Sequence, residues 1–473
     1  MAESLLVQES TLRQEAERAG QGHLFAWWPE LSHVEREGLL EQIASIDFGL
    51  VRRLVERMLR SPGSSGHDPL EPAPVIPLPS SAAAIEKRLA AKERGEAVLR
   101  QGKVAALVAA GGQGTRLGFS GPKGAFPIGP ISKKPLFSVL AERILATRRR
   151  YGVSVPWYVM TSPATDAETR RFFEEWGFFG VSANDVVFFQ QGTMPTVDRV
   201  GRILLEGKAE IAMSPDGHGG TLKALDRSGC LDDMENRGIE EISYFQVDNV
   251  LVKPLDPVFI GCHCQAGAEM SSKVVRKACS EEKVGVLGLR SGRPAVIEYS
   301  DLGQEEMNAR GPDGELKYWA GSIAVHMIQV AFLRRLMREK LELPFHRAEK
   351  KVPCIDAQGR PLEPDKPNGV KFESFIFDAL GHARRTVSLE VLRREEFSPV
   401  KNAHGMDSPE TARRDFMELF GSWLKDAGVA LPRREDGGLA VQIEISPLVA
   451  LDREEAVAKI PRDLAIQGDL YLR

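Results

Sequence analysis

Several things are scarce or missing in this chain, and each absence removes a class of protein. Its 473 residues hold only five cysteines, an odd number at irregular spacing. That excludes a disulfide framework and suits a reducing cytosol. No apolar stretch approaches the roughly 18 residues needed to cross a bilayer, so no membrane partner is expected. The opening segment MAESLLVQESTLRQEAERAG has neither the apolar core of a secretory signal nor the acid-poor character of a transit peptide. The expected localisation is cytoplasmic. Charge of one sign is also lacking: 62 Lys+Arg against 66 Asp+Glu leave a net of −4. Nothing in that balance argues for nucleic acid as a partner, and any phosphate site must be a local basic pocket. Cys262-His263-Cys264 has metal-ligating residue types, but no second Cys/His pair stands at zinc spacing, and the segment reads as buried. No Ser/His/Asp or Cys/His nucleophile set is evident.

The chain is long enough for two or three domains. Residues 3–60 read as helices, with Leu39, Leu40, Ile43 and Ile46 at helical spacing. The pair Trp27-Trp28 reads as helix packing rather than a surface anchor. Ser61 to Ser81 is rich in Pro, Ser and Gly and reads as an extended connector; helix returns over 82–101. From Lys103 to about Asn402 strand and helix signals alternate, with strands expected at Val104–Ala110, Trp157–Thr161, Val186–Gln190, Ile242–Val247 and Val284–Leu289. Alternation of this kind implies an α/β fold with a mostly parallel sheet and helices on both faces. Ligands then sit beyond the carboxyl ends of the strands. A helix over 411–426 and short apolar segments at 439–445 and 469–472 read as a small terminal module. The expected organisation is an N-terminal helical region over 1–98, a catalytic domain over 99–403 and a C-terminal domain over 404–473.

What is present, and most telling, is the run from Ala106 to Gly129, ALVAAGGQGTRLGFSGPKGAFPIG. An apolar strand empties into Gly111-Gly112-Gln113-Gly114, and Arg116 and Lys123 follow closely. Glycines let backbone N–H groups approach phosphate oxygens. Two fixed cations can neutralise a polyphosphate or the charge that develops as it leaves. A dinucleotide fingerprint would read G-x-G-x-x-G with an acid about 20 residues on; here the third glycine, Gly118, is one place late and the stretch at Lys133-Lys134 is basic. A P-loop would need Gly-Lys-Ser/Thr after its last glycine, which is missing.

Other segments carry chemistry of their own. Asp216-Gly217-His218-Gly219-Gly220 is a second glycine-rich loop, read either as a close approach to a ligand or as a turn. Asp248, at the end of the apolar strand before Asn249, is either a hard oxygen ligand for Mg²⁺ beside a polyphosphate or an N-cap. Glu298, before Tyr299, can accept from sugar hydroxyls or sit solvated at an edge. Phe375 and Phe377, in the aromatic stretch after Pro367-Asn368-Gly369-Val370-Lys371, read on composition as core. Lys401 ends the run REEFSPVKN.

Together these segments resemble the UDP-N-acetylhexosamine pyrophosphorylase branch of the UTP-dependent sugar-1-phosphate uridylyltransferases. The resemblance rests on GGQGTRLG…PKG, FFQQG, PDGxGG, VDN, EYS, PNGxK and EFSPVKN in the family's order, across roughly two thirds of the chain. It implies a Rossmann-like nucleotidyltransferase mixed sheet. The implied reaction is UTP + N-acetylglucosamine 1-phosphate ⇌ UDP-N-acetylglucosamine + pyrophosphate, with Mg²⁺ as cofactor and UTP and a sugar 1-phosphate as partners. Ala109, Ala110, Gly111 and Gly112 would hold the nucleotide, and Arg116 and Lys123 the triphosphate. Gln191 would read uracil, Gly217 would close over the nucleotide, and Asp248 would bind Mg²⁺ and nucleotide. Lys371 would help with nucleotide phosphate and Lys401 would hold the sugar phosphate. Glu298, Tyr299, Phe375 and Phe377 would line the sugar pocket. His218 and Ser322 stand where the family's sugar-side asparagines usually lie, so measurable use of glucose 1-phosphate is expected. A glucose-1-phosphate or broad-specificity UDP-sugar pyrophosphorylase is the alternative; a non-catalytic nucleotide binder is a remote one.

Overall fold

The computed structural model describes residues 2–60 and 69–473, with residues 2–6 in backbone only. The first part of the proline-rich connector, 61–68, lies outside the described residues. The chain divides into two compact units: Met1–His67, Gln191–Gly220 and Glu342–Ile376 form one, and Asp68–Gln190, Thr221–Leu341 and Phe377–Arg473 the other. Of the segment expected over 1–98, the helices Ala2–Arg18, His33–Ala44 and Phe48–Val55 belong to the first unit and Ala82–Arg100 to the second; 404–473 lies wholly in the second.

The second unit is built on a ten-stranded mixed sheet. Its strands are β1 (Leu70–Pro72), β2 (Val104–Ala109), β3 (Trp157–Thr161), β4 (Val186–Gln190), β5 (Glu241–Gln246), β6 (Met270–Arg276), β7 (Val286–Arg290), β8 (Arg293–Ile297), β9 (Ala320–Gln329) and β10 (Thr386–Glu390). The main path runs β1-β7-β9-β5-β2-β3-β4, with β6 joining β9 to β10 and β8 pairing with β7. Strands β5, β2, β3 and β4 are parallel. All six residues of β2 are buried, which is why an unbroken apolar run replaces alternation: both faces are covered. The mostly parallel sheet expected from alternation needs correction. β9 runs antiparallel to β5 and β6, and β7 to β8. The β7–β8 connection is a two-residue turn with positive φ at Ser291 (50°) and Gly292 (71°), the hairpin geometry that forces antiparallel pairing.

Among the helices of this unit are α1 (Ala82–Arg100), α2 (Leu136–Tyr151), α3 (Pro257–Ala266) and α4 (Pro409–Asp426). Ser81 caps α1 by accepting from the Ala84 N–H at 3.2 Å. Phe137 of α2, Trp157 of β3 and Phe173 cluster in the core, with Phe137 and Phe173 ring centroids 4.9 Å apart. The described part of the connector is extended and stitched to the sheet: β1 pairs with β7, and the Ile76 N–H donates to the Ser388 carbonyl at 2.8 Å. The C-terminal segment is anchored by a buried carboxylate. Glu444 accepts from the backbone N–H groups of Ile131 and Ser132, both at 2.8 Å, and so fixes the loop that follows Lys123.

In the first unit a three-stranded sheet (Phe345–Lys350, Gly369–Ser374, Val197–Asp198) shares a core with the N-terminal helices. Ser32 and Glu35 form a capping box on His33–Ala44. Trp28 is buried against Phe25, their ring centroids 5.5 Å apart, with Arg36 over its indole, the packing role read from the sequence.

The closest helix contact is between α1 and α3. A Cβ on Gly95 would lie 1.8 Å from the Pro257 carbonyl oxygen, and one on Gly261 1.7 Å from that of Ala91. Gly95→Ala should therefore destabilise the protein by about 3 kcal/mol or more, through overpacking against backbone that cannot swing away. Urea titration checks this; a change below about 1 kcal/mol would mean that the helices separate freely.

Candidate active site

The glycine-rich loop leaves the carboxyl end of β2. Its start is fixed by the Ala110 N–H donating to the Met160 carbonyl (2.8 Å) and by Ser162 Oγ donating to the Gly111 carbonyl (2.8 Å). It then folds back on itself: the Gly114 N–H donates to the Gly121 carbonyl (2.8 Å) and the Lys123 N–H to the Gly112 carbonyl (3.0 Å). This ladder holds Lys123 beside Gly112, eleven residues apart in sequence. The glycines have different reasons. A Cβ on Gly114 would meet the Phe119 ring at 2.7 Å, and Gly118 sits at φ 67°, so both answer to local geometry. Gly112 is exposed, and a Cβ there would meet nothing within 4 Å. No packing demand accounts for that glycine. Arg116 is exposed and makes no ion pair among the described residues.

Lys123 Nζ donates to Asp248 Oδ2 at 3.1 Å, and both side chains are only 17% exposed. Asp248 follows β5, the parallel neighbour of β2, so two adjacent strands deliver the pair at one end of the sheet. Burial pushes the Asp248 carboxyl up, but the charges of Lys123 and then Lys401 outweigh it and hold the carboxyl below its usual range. Lys401 is half-buried, its ammonium 5.8 Å from the Phe397 ring centroid. The structure thus sets Lys123 on Asp248, with Lys401 acting on the same carboxyl through its charge, from three distant stretches of chain.

Asn249 explains how, and the sequence reading passed over it. Its buried amide donates from Nδ2 to the Glu396 carbonyl (2.7 Å) and accepts at Oδ1 from the Ser398 N–H (3.0 Å). The Val400 N–H donates to the Asp248 carbonyl (2.9 Å). An Asn beside a motif Asp is the only sequence signal for this latch.

Glu298 and Ser322 each lie beside Gly285 in the second unit. The Ser322 N–H on β9 donates to the Gly285 carbonyl (2.8 Å), and a Cβ on Gly285 would lie 3.2 Å from Glu298 Oε1. Tyr299 is 41% exposed and Phe377 is buried.

The remaining sequence-derived residues lie in the first unit. Gln191 is buried, and its amide makes no hydrogen bond among the described residues. Lys371 is half-buried on the strand Gly369–Ser374. The glycines of the second loop serve close approach of backbone to backbone: a Cβ on Gly217 would meet the Ser374 carbonyl oxygen at 2.3 Å, and one on Gly219 the Phe375 N at 2.7 Å. His218 stacks on Phe375 at 5.2 Å, His346 stacks on Phe375 at 4.6 Å, and His218 Nδ1 accepts from the Ile376 N–H at 3.2 Å. Phe375 and Phe377 fall in different units, because the strand ends at Ser374 and a 3₁₀ turn begins at Ile376. Both ring nitrogens of His263, in the Cys262–Cys264 cluster, are engaged, by Ser271 (2.6 Å) and Glu241 (3.0 Å).

A family model described as UTP–glucose-1-phosphate uridylyltransferase matches residues 51–407. The chain is 41% identical to UDP-N-acetylhexosamine pyrophosphorylase-like protein 1 of Xenopus tropicalis, over 93% of this chain and 91% of that one. It is 37% identical to UDP-N-acetylglucosamine pyrophosphorylase of Saccharomyces cerevisiae, over 90% and 92%. A solved structure of the uridine diphosphate N-acetylglucosamine pyrophosphorylase from Trypanosoma brucei, in complex with inhibitor, superposes with a TM-score of 0.82 at 27% identity, covering 98% of each chain. The chain belongs to this uridylyltransferase family, on its UDP-N-acetylhexosamine pyrophosphorylase branch. It is therefore a nucleotidyltransferase of mixed α/β fold, and the glycine loop and the Lys123–Asp248 pair lie within the matched residues. No helix among the described residues is long and apolar enough to cross a membrane.

His218 gives a pH test of this uridylyltransferase. Burial, then the charge of His346, lowers its imidazole to about 4. Its folded value lies below its unfolded one, so the stability it contributes is full above the unfolded value and is lost as pH falls from about 6.5 toward 4. In His218→Asn, unfolding near pH 5 should take up about one proton fewer than in wild type. Urea titrations across pH 4–7 measure this; parallel stability curves would show that His218 is not buried as a neutral ring.

Proposed function

We propose that the protein transfers uridylyl from UTP to N-acetylglucosamine 1-phosphate, releasing pyrophosphate. One observation carries the reading beyond family membership: Lys123 pairs with Asp248 beside an exposed glycine loop at the carboxyl end of parallel strands, and the Val400 N–H ties the segment that carries Lys401 to the Asp248 carbonyl. A sugar-phosphate oxygen attacks the α-phosphorus of UTP. The new P–O bond forms as the bond to the β-phosphate oxygen breaks, and pyrophosphate leaves with the electron pair. A phosphate dianion is already a nucleophile, so positioning and charge neutralisation suffice. In this reading Ala109 to Gly112 cradle the nucleotide, Arg116 and Lys123 take the developing pyrophosphate charge, and Lys401 holds the sugar phosphate. Gln191 reads uracil, Gly217 contacts the nucleotide, and Lys371 takes a nucleotide phosphate; these three roles rest on the resemblance.

Asp248 fits Mg²⁺. Among the described residues there is no cluster of three or more metal-ligating side chains, and Mg²⁺ typically takes one or two carboxylates and fills its shell with water and substrate phosphate. When bound, the ion would neutralise phosphate charge. Asp248 would be its protein ligand.

Use of glucose 1-phosphate as a second substrate is favoured by the sugar-side residues. Ser322 is shorter than the family's Asn and offers one hydroxyl where an amide offers donor and acceptor. His218 has its Nδ1 engaged by the Ile376 N–H. Glu298, Tyr299, Phe375 and Phe377 complete the sugar-side set.

The test is a sugar 1-phosphate panel (N-acetylglucosamine, N-acetylgalactosamine, glucose, galactose) with UTP and Mg²⁺. Turnover with N-acetylglucosamine 1-phosphate above glucose 1-phosphate is expected, and no UTP-dependent turnover would end the reading. Lys123→Ala should cost roughly 10²–10³ in kcat, as removal of a preorganised electrostatic stabiliser does; a rise in KM for UTP alone would make Lys123 a ground-state binder. Asp248→Asn should need more Mg²⁺ for half-activation, and an unchanged Mg²⁺ titration would move the metal elsewhere.

A further inference from the structure

We infer that Lys273 is a positioning residue for the sugar-phosphate step, acting through Glu396 and Asn249 on Lys401; the inference rests on the role given to Lys401 above. Lys273 lies on β6 and is fully buried. Its ammonium bonds Asp256 Oδ2 at 2.7 Å and Glu396 Oε2 more closely. Glu396 is buried as well, with Lys253 Nζ 3.4 Å from its other oxygen. Burial would lower the Lys253 ammonium, but Glu396, Asp256 and Glu395 together raise it above its usual value. Asp256 is also the N-cap of α3, accepting from the Val258 N–H at 3.0 Å. Lys273 is the point where the sheet, a helix N-terminus and the segment leading to Lys401 are tied.

Buried ion pairs of this kind are poor stability devices, because desolvation offsets most of the attraction and well-packed apolar side chains of similar volume do as well. What the pair supplies here is a fixed place for Glu396. The Glu396 carbonyl accepts from Asn249 Nδ2, and Asn249 Oδ1 takes the Ser398 N–H and the Leu251 N–H (3.2 Å). Two residues on, the Val400 N–H reaches the Asp248 carbonyl. Glu396, Ser398 and Val400, alternate residues on the approach to Lys401, are thus referred back to the Asp248 loop, and the origin of the chain of bonds is the Lys273 ammonium. A shift at Glu396 changes the distance between Lys401 and Asp248, and displacement of about 1 Å far from the chemistry can cost about a hundredfold in rate. Lys273 touches no reacting atom; it sets where Lys401 stands.

The test uses the full-length protein, with Lys273→Met made in wild type and in Lys401→Ala. In wild type, Lys273→Met should raise KM for the sugar 1-phosphate about tenfold and lower kcat about tenfold, with KM for UTP moving less than about twofold. In Lys401→Ala, the further loss in kcat/KM should be under about threefold, because both changes act through one side chain. Lys273→Arg, which keeps the charge, should recover part of the wild-type KM. The positioning role is overturned if Lys273→Met costs the same factor in both backgrounds, if both substrates' KM values move together, or if nothing moves. Should Lys273→Met fail to fold, Glu396→Gln, which keeps shape and backbone bonds but loses the charge, is read by the same criteria. A wild type with no UTP-dependent turnover overturns the reaction reading and this inference with it; normal wild-type turnover with additive losses overturns the inference alone.

Discussion

The Lys123–Asp248 contact is the interaction on which the rest of the second unit's chemical end depends. A 3.1 Å pair with both side chains mostly buried is screened far less than a surface pair. It also leaves the charge sum uneven. Asp248 pairs with Lys123 and also feels the charge of Lys401, and Arg116 stands exposed nearby in sequence with no anionic partner among the described residues. The site is therefore locally cationic in a chain whose net charge is −4. A polyphosphate would meet positive charge held by fixed backbone, which is the arrangement that lowers a barrier without reorganisation. In the reading proposed above, the carboxylate also offers a hard cation an oxygen.

The mixed sheet is what makes that pair possible. β2 and β5 are parallel neighbours, so their following loops emerge at the same end of the sheet, where α/β proteins bind their ligands. The glycine loop then doubles back so that Lys123, on its return arm, faces the β5 exit. The return arm is held from behind by Glu444 through Ile131 and Ser132, which gives the C-terminal segment a mechanical part in the position of Lys123. Lys401 reaches the same place through Asn249. Three segments more than a hundred residues apart are thus joined through the backbone groups taken up by the Asn249 amide and by Asp248, and the Lys123–Asp248 contact completes the join.

Much of this was legible in the sequence, for identifiable reasons. Strands β2, β3 and β4 were legible within a residue of their ends because buried parallel strands are unbroken apolar runs bounded by loops. Lys123 and Asp248 could be named because their motifs have a physical rationale. The antiparallel half of the sheet was not legible: pairing partners are set by tertiary contacts, and the Ser291-Gly292 turn that decides β7–β8 resembles any polar loop. The network of Lys253, Asp256, Lys273 and Glu396, centred on the buried Lys273 and Glu396, was invisible, since lysines and glutamates are read as surface residues by default. Asp216-Gly217-His218-Gly219-Gly220 was read for ligand approach, yet at Gly217 and Gly219 the partner that forbids a Cβ is the backbone of Ser374 and Phe375. A glycine in a motif says that something comes close, without saying what.

That distinction bears on how the nucleotide side and the sugar side proposed above differ. Gly112 has no protein neighbour that would bar a Cβ, Lys123 and Asp248 are bonded to each other, and the Val400 N–H ties the segment before Lys401 to the Asp248 carbonyl. Replacing any of them disturbs the other members, so the nucleotide end resists change. Ser322 is placed through its backbone N–H to Gly285. A residue placed that way can exchange its side chain while the strand register stays fixed by the same backbone bond. The physical expectation is a chain whose reaction type is rigid and whose sugar preference is free to drift. The Ser322 hydroxyl also accepts from the Ala324 N–H at 3.4 Å, so a substitution there would change one local bond and the hydrogen-bonding capacity toward a ligand while the bond to Gly285 stays.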